Sequence, residues 1–276
     1  MSDSSDEFFD TVRNEFLPYI EKATVGLVVV QGEEIKHNRT GVLYRIGEYH
    51  FILTAAHGLR EVIKNNIPLY VTTNTPGIAP IPIVRGIFHG TEVDGRDFTA
   101  IRLASDEAKQ IGFERFVMHN SVAVNIEEKC GWYMLAGYPR EWSFRVLTPT
   151  NVCSDMLFYL CVPFTGTHLA KSSYDSSVHL SLSIDQQAIE VATKESEELP
   201  GLHGISGCGI WRVAWSDAEL QRVSPACLVL VGIQHSWNSR RKYIDATRME
   251  HVLDRILYDY PELRPPMSLH YRRGGV

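Results

Sequence analysis

Ser206 lies in the glycine-flanked segment Gly204-Ile205-Ser206-Gly207. His57 ends the run Leu53-Thr54-Ala55-Ala56-His57, and Asp97 opens Asp97-Phe98-Thr99-Ala100-Ile101-Arg102-Leu103. A serine hydroxyl is a weak nucleophile at neutral pH unless an adjacent imidazole takes its proton. That imidazole works best when a carboxylate on its other nitrogen fixes the tautomer and stabilises the charged ring. Glycines on either side of Ser206 let backbone amides approach a substrate with no Cβ in the way. The amides of Gly204 and Ser206 are therefore candidate donors to the negative charge of a tetrahedral intermediate. These settings describe a serine hydrolase with His57 as base, Asp97 as orienting carboxylate and Ser206 as nucleophile.

Each assignment has a rival. Asp94, in Asp94-Gly95-Arg96, competes with Asp97, but a turn aspartate is the simpler reading of it. A carboxylate entering an apolar strand, as Asp97 does, is costly unless paired. Cys208, two residues beyond Ser206, is a second candidate nucleophile. An α/β-hydrolase would place serine first and show Gly-x-Ser-x-Gly, and neither holds here.

The elements that must position these groups read as mostly β. Residues 7–22 carry Phe8, Val12, Phe16 and Ile20 on one helical face, with Pro18 expected to kink or shorten the helix. Short β-branched runs follow: Val25–Val30, a hairpin of Gly41–Arg45 and His50–Thr54, Leu69–Thr73, Ile81–Phe88, Phe98–Leu103, Val122–Ile126 and Gly131–Ala136. Met156–Val162, Val178–Ile184, Gly209–Val213 and Leu228–Gln234 continue the series, and Thr247–Tyr260 reads as a helix ended by Pro261. Many short strands between Gly, Pro and polar clusters indicate an all-β barrel or sandwich.

The 276 residues, 44% hydrophobic, can bury a large core, and a net charge of −6 with no basic stripe argues against nucleic acid as a partner. No apolar stretch is long enough to span a bilayer, so no membrane partner is expected. The acidic start Met1-Ser2-Asp3-Ser4-Ser5-Asp6-Glu7 is unlike a secretory signal. Five cysteines stand without metal-ligand spacing, so no metal and no cofactor are expected, and the location reads as a reducing cytoplasm.

With these residues in hand, the chain resembles the trypsin-like (chymotrypsin-fold) serine peptidases, in a bacterial-type intracellular branch. Leu53–His57, Asp97–Leu103 and Gly204–Gly207 carry the likeness, joined by Thr40-Gly41-Val42-Leu43, Ala136-Gly137-Tyr138-Pro139 and Val231-Gly232-Ile233. The resemblance implies two packed six-stranded antiparallel β-barrels with an N-terminal and a C-terminal helix. The implied divisions are an N-terminal helix over 1–24, a first barrel over 25–120 with His57 and Asp97, a second over 121–245 with Ser206, and a helix and tail over 246–276. It implies cleavage of a protein or peptide substrate through an acyl-enzyme, with limited proteolysis of a specific intracellular partner and a possible regulatory protein partner. The other reading is a catalytically inactive or latent fold used to bind proteins, and an esterase with the same triad is a third.

Three departures from the family pattern stand out. Gly58 replaces the cysteine that follows the histidine in secreted animal members, Ile205 replaces the aspartate of zymogen-activated members, and Cys208-Gly209 replaces Gly-Pro. Pro200 stands where tryptic members place a carboxylate, so cleavage after Lys or Arg has no support. Gln234, His235 and Ser236 would form the opposite wall of the substrate pocket, with His235 a candidate to receive an acidic or polar side chain.

Overall fold

A π-helical turn at Val12–Phe16 runs into helix α1 (Leu17–Ala23), and its apolar face is buried at Val12, Phe16 and Ile20. Pro18 sits in the first turn of α1, directly after the π-helical turn, where it has no N–H to continue the ladder, and the regular helix is correspondingly short. The computed structural model describes residues 10, 12–31, 34–72, 79–91, 95–118, 121–124, 132–140, 145–148, 151–153, 156–166, 174–184, 187–189, 196–198, 201–213 and 227–264. Phe8, Asp94 and Pro200 lie outside these residues.

The first half is one sheet of β1 (Thr24–Gln31), β2 (Glu34–Ile46), β3 (Tyr49–Thr54), β4 (Leu69–Thr72), β5 (Ile81–Ile83), β6 (Ile87–Thr91), β7 (Phe98–Arg102) and β8 (Val117–Met118). Its order is β5-β4-β1-β2-β3-β7-β6, with β8 pairing β2 in parallel. The expected hairpin forms, β2 against β3, with Ile46 opposite Tyr49. Helices α2 (Arg60–Lys64) and α3 (Ser105–Ile111) lie outside the sheet.

The second half is a closed barrel. Its strands are β9 (Tyr133–Gly137), β12 (Leu157–Pro163), β13 (His179–Ser183), β16 (Gly209–Val213), β17 (Leu228–Asn238) and β18 (Tyr243–Arg248), interrupted by the hairpins β10 (Arg145–Thr148)–β11 (Asn151–Cys153) after β9 and β14 (Gln187–Ile189)–β15 (Ser196–Glu198) after β13. Helix α4 (Met249–Asp259) follows. The faces of α1 and α4 meet Val42, Phe51 and Phe98 of the sheet and Met134, Trp211 and Leu230 of the barrel in one buried cluster. Burying apolar side chains from both halves in a common core fixes the cleft between them.

The sequence reading needs correction at several elements. The run Ile81–Phe88 is two strands, because the buried Glu107 carboxylate accepts the N–H groups of Val84 and Arg85, both at 2.8 Å, and pulls them off the ladder. Its other oxygen accepts the Ala104 N–H at 2.9 Å, so both oxygens of the buried group are hydrogen-bonded. Val122–Ile126 is not a continuous strand over its described part, where Val122 and Val124 are single bridge residues, Val122 opposite Leu230, and the Ala123 N–H donates to the Leu230 carbonyl at 3.1 Å. Thr247 belongs to β18, opposite His179, so the C-terminal helix starts at Met249. Among the described residues no helix is long and apolar enough to cross a membrane.

Candidate active site

Strands β3 and β7 pair with Thr54 opposite Thr99, so the residues just past the end of one and just before the start of the other converge. His57 Nδ1 lies 2.6 Å from Asp97 Oδ2, and the His57 backbone N–H donates to Asp97 Oδ1 at 3.0 Å. One carboxylate thereby fixes both the imidazole and the chain that carries it. The Asp97 N–H donates to Thr247 Oγ1 at 3.2 Å, tying this corner to the barrel. Burial raises the Asp97 pKa, but the hydrogen bond from the His57 ring, that ring's charge and the His57 N–H outweigh it and hold the carboxyl below its ordinary range. Asp97 is therefore ionised at neutral pH.

The loop carrying Ser206 is held from behind. The Thr40 N–H donates to the Ser206 carbonyl at 3.1 Å, and the Thr40 hydroxyl donates to the Gly204 carbonyl at 3.1 Å. The Gly207 N–H donates to the Gln234 carbonyl at 2.7 Å, and Gln234 N–H donates to the Cys208 carbonyl at 2.9 Å. Gly204 and Gly207 have φ of 96° and 95°, the left-handed region that favours glycine. Among the described residues, neither the Gly204 nor the Ser206 amide donates to a backbone carbonyl.

A cavity of about 330 Å³ lies over this loop, and His57, Gly204, Ser206, Gln234, His235 and Ser236 all line it. The structure thus brings the sequence-predicted residues together within the described set, with Asp97 on the far side of the imidazole. Its lining includes Arg39, Arg140 and His203, which the sequence reading did not single out. Thr40 stands out in the sequence only as part of a strand motif, because its two hydrogen bonds to a loop more than 160 positions away leave no local signal. Among the described residues, no group of three or more His, Cys, Asp or Glu could hold a metal ion.

Cys208 does not compete with Ser206. Its side chain is fully buried, and burial, with Cys161 nearby, pushes the thiol pKa well up, so no thiolate forms at neutral pH.

His235 occupies the bulge where β17 slips register against β18 between Gln234 and Ser236. Its Nε2 is sealed from solvent with no hydrogen-bond partner among the described residues, and its ring stands 5.5 Å from that of His179. The titratable groups facing it are Asp97, His179, Asp245 and His57; burial, helped by the two histidines, outweighs the two carboxylates and pushes its pKa down to about 4. The ring is therefore neutral at pH 7. Ser236 donates its hydroxyl to Asp245 at 3.1 Å, and Ser181 donates to the same carboxylate.

At His235 the unfolded chain, with an ordinary pKa of 6.5, binds a proton that the native site refuses until pH falls to about 4. Stability is full above pH 6.5 and is lost as pH falls from there toward 4, by about 2–3 kcal/mol for this group. Denaturant midpoints at pH 7 and pH 4.5 should therefore differ less in the His235→Asn variant than in the parent.

No protein-family model matches the chain, and no curated protein matches it in sequence. Among solved structures it is similar to a thermostable serine protease from an extremophilic microorganism, with a TM-score of 0.51 and 8% identity over 88% of this chain and 98% of that one. The chain has a chymotrypsin-like fold. It is also similar to a Glu endopeptidase, with a TM-score of 0.48 and 12% identity over 88% of this chain and 91% of that one. In the chymotrypsin-like fold of this chain the first half is a curled sheet and the second a closed six-stranded barrel.

Proposed function

We propose that the protein is a serine endopeptidase that cleaves a protein or peptide through an acyl-enzyme. The observation that carries this reading is the 2.6 Å contact of His57 Nδ1 with an ionised Asp97, on an imidazole that shares its cleft with Ser206. Ser206 Oγ attacks the scissile carbonyl carbon while its proton passes to His57 Nε2. The carbonyl oxygen becomes an oxyanion received by the amides of Gly204 and Ser206, and Asp97 stabilises the imidazolium. Collapse of the intermediate breaks the C–N bond, and His57 returns the proton to the leaving amine. Water then repeats the sequence on the acyl-serine, releasing the new carboxyl and restoring the hydroxyl.

Gln234, His235 and Ser236 form the wall against which the substrate side chain packs, as neutral polar groups. Free thiols at Cys161, Cys208 and Cys227 fit a reducing compartment, and there a narrow target, a specific intracellular partner, is the expected substrate.

A fluorophosphonate probe tests the reading. The expected result is one adduct on the parent, mapped by peptide mass to Ser206 and lost in Ser206→Ala and His57→Ala. A folded parent that takes no label would instead support a protein-binding module.

A further inference from the structure

The catalytic cleft opposes the charge of the molecule around it. The chain carries a net charge of −6, yet the described residues lining the cavity include two arginines and no carboxylate. Of the acids behind that lining, Asp97 is turned onto His57 and Asp245 accepts the hydroxyls of Ser181 and Ser236. A cleft of one sign, walled by protein, concentrates ligands of the opposite sign and selects among them.

The two arginines come from different halves and are placed by different means. Arg39 immediately precedes Thr40, whose N–H holds the Ser206 carbonyl at 3.1 Å. Its stem lies flat on Gly58, the residue after His57, and a Cβ built at Gly58 would come within 2.6 Å of both Arg39 Cγ and Cδ. Glycine at 58 is thus what makes room for this side chain beside the imidazole. Burial lowers the Arg39 pKa and the charge of Asp97 raises it, but a guanidinium stays a cation at neutral pH. Arg140 is exposed at the end of the turn that follows β9, and its N–H donates to the His203 carbonyl at 2.6 Å. That bond sets Arg140 beside Gly204 and Ser206. Arginines at two places on one small cavity suit carboxylates, to which guanidinium N–H groups donate charge-assisted hydrogen bonds.

We propose that Arg39 and Arg140 are specificity-determining residues that select an acidic peptide, with Asp or Glu beside the scissile bond. This rests on the peptidase reading above and deepens it. A nucleic acid is the weaker candidate, because two arginines over about 330 Å³ neutralise too few phosphates to hold a strand.

The test separates binding from chemistry. Two pools of fluorescent eight-residue peptides, randomised at the outer positions, carry either Asp and Glu or Asn and Gln at the four central positions. Their anisotropy is titrated with the Ser206→Ala protein. The acidic pool should bind about 10-fold tighter at low salt, with the advantage shrinking at 0.5 M salt. Arg39→Gln and Arg140→Gln should each reduce the preference several-fold, while Arg39→Lys, which keeps the charge, should retain more of it than Arg39→Gln. Equal binding of the two pools, binding of neither, a preference untouched by both Gln variants, or tighter binding of a single-stranded oligonucleotide would overturn the proposal. Fluorophosphonate labelling of the parent is read separately. A labelled Ser206 without acidic preference removes only the specificity, and acidic preference without label removes only the peptidase.

Discussion

Changing Asp97 to asparagine should lower turnover by about 10⁴-fold while leaving the protein folded. The carboxylate accepts two hydrogen bonds from one residue, from the His57 N–H at 3.0 Å and from the ring Nδ1 at 2.6 Å. An asparagine can still take the backbone N–H through its carbonyl oxygen. Its amide then faces Nδ1 as a donor, which requires an unprotonated Nδ1 and places the ring proton on Nε2. An imidazole in that tautomer has no lone pair to receive the Ser206 proton, and no negative charge remains to stabilise the imidazolium. The shape of the site is retained and its proton chemistry is lost, so substrate binding should change much less than kcat.

The pH profile supplies a second check. Because Asp97 is held below the ordinary carboxylate range, its contribution is present above that range and is lost only as pH falls through the lowered value. The acid limb of activity in the parent therefore should not belong to Asp97. A variant with turnover within tenfold of the parent would show that this imidazole carries no proton in the rate-determining step.

What made His57, Asp97 and Ser206 readable in the chain is that each sits at the end of an apolar run or between glycines, where a polar residue needs a reason. The strands that carry them are short and β-branched, and their pattern is local. The residues that were not readable act across distance. Thr40 reaches Gly204 and Ser206, and Arg39 lies on Gly58, contacts set by how β2 packs against the Ser206 loop and the turn after β3. The strand Tyr243–Arg248 was missed because its buried polar members, Thr247 and Arg248, look like solvent-facing residues. Thr247 is taken by the Asp97 N–H, and Arg248 Nε by the carbonyls of Ser176 and His179, at 3.0 Å each. Buried polar groups with such partners break the alternation that identifies a strand from sequence. The run Ile81–Phe88 failed for a related reason, since the Glu107 carboxylate that divides it comes from a helix twenty positions further on.

Gly207→Ala should remove labelling at Ser206 by at least about 10²-fold and destabilise the protein by about 2–4 kcal/mol. Gly207 has φ of 95°, which disfavours any side chain. The space is also taken. A Cβ at 207 would run into Thr54 Oγ1 and the Thr40 carbonyl, and would stand 2.9 Å from the Ala55 N–H nitrogen. Thr54 Oγ1 donates to that same carbonyl at 2.7 Å, so neither atom can withdraw without breaking the other's contact between β2 and β3. The loop itself must move. Movement loosens the Thr40 bond to the Ser206 carbonyl and the Gly207 bond to Gln234, the two that aim the amides of Gly204 and Ser206. Losing one oxyanion donor alone is worth about 3–4 kcal/mol in the transition state. The Gly207→Ala, Thr54→Ala double variant separates the obstacles: it clears the hydroxyl but leaves the backbone carbonyl of Thr40 and the strained φ. Labelling should therefore stay low, and recovery to the parent level would mean that the Thr54 side chain alone excludes a Cβ at this position.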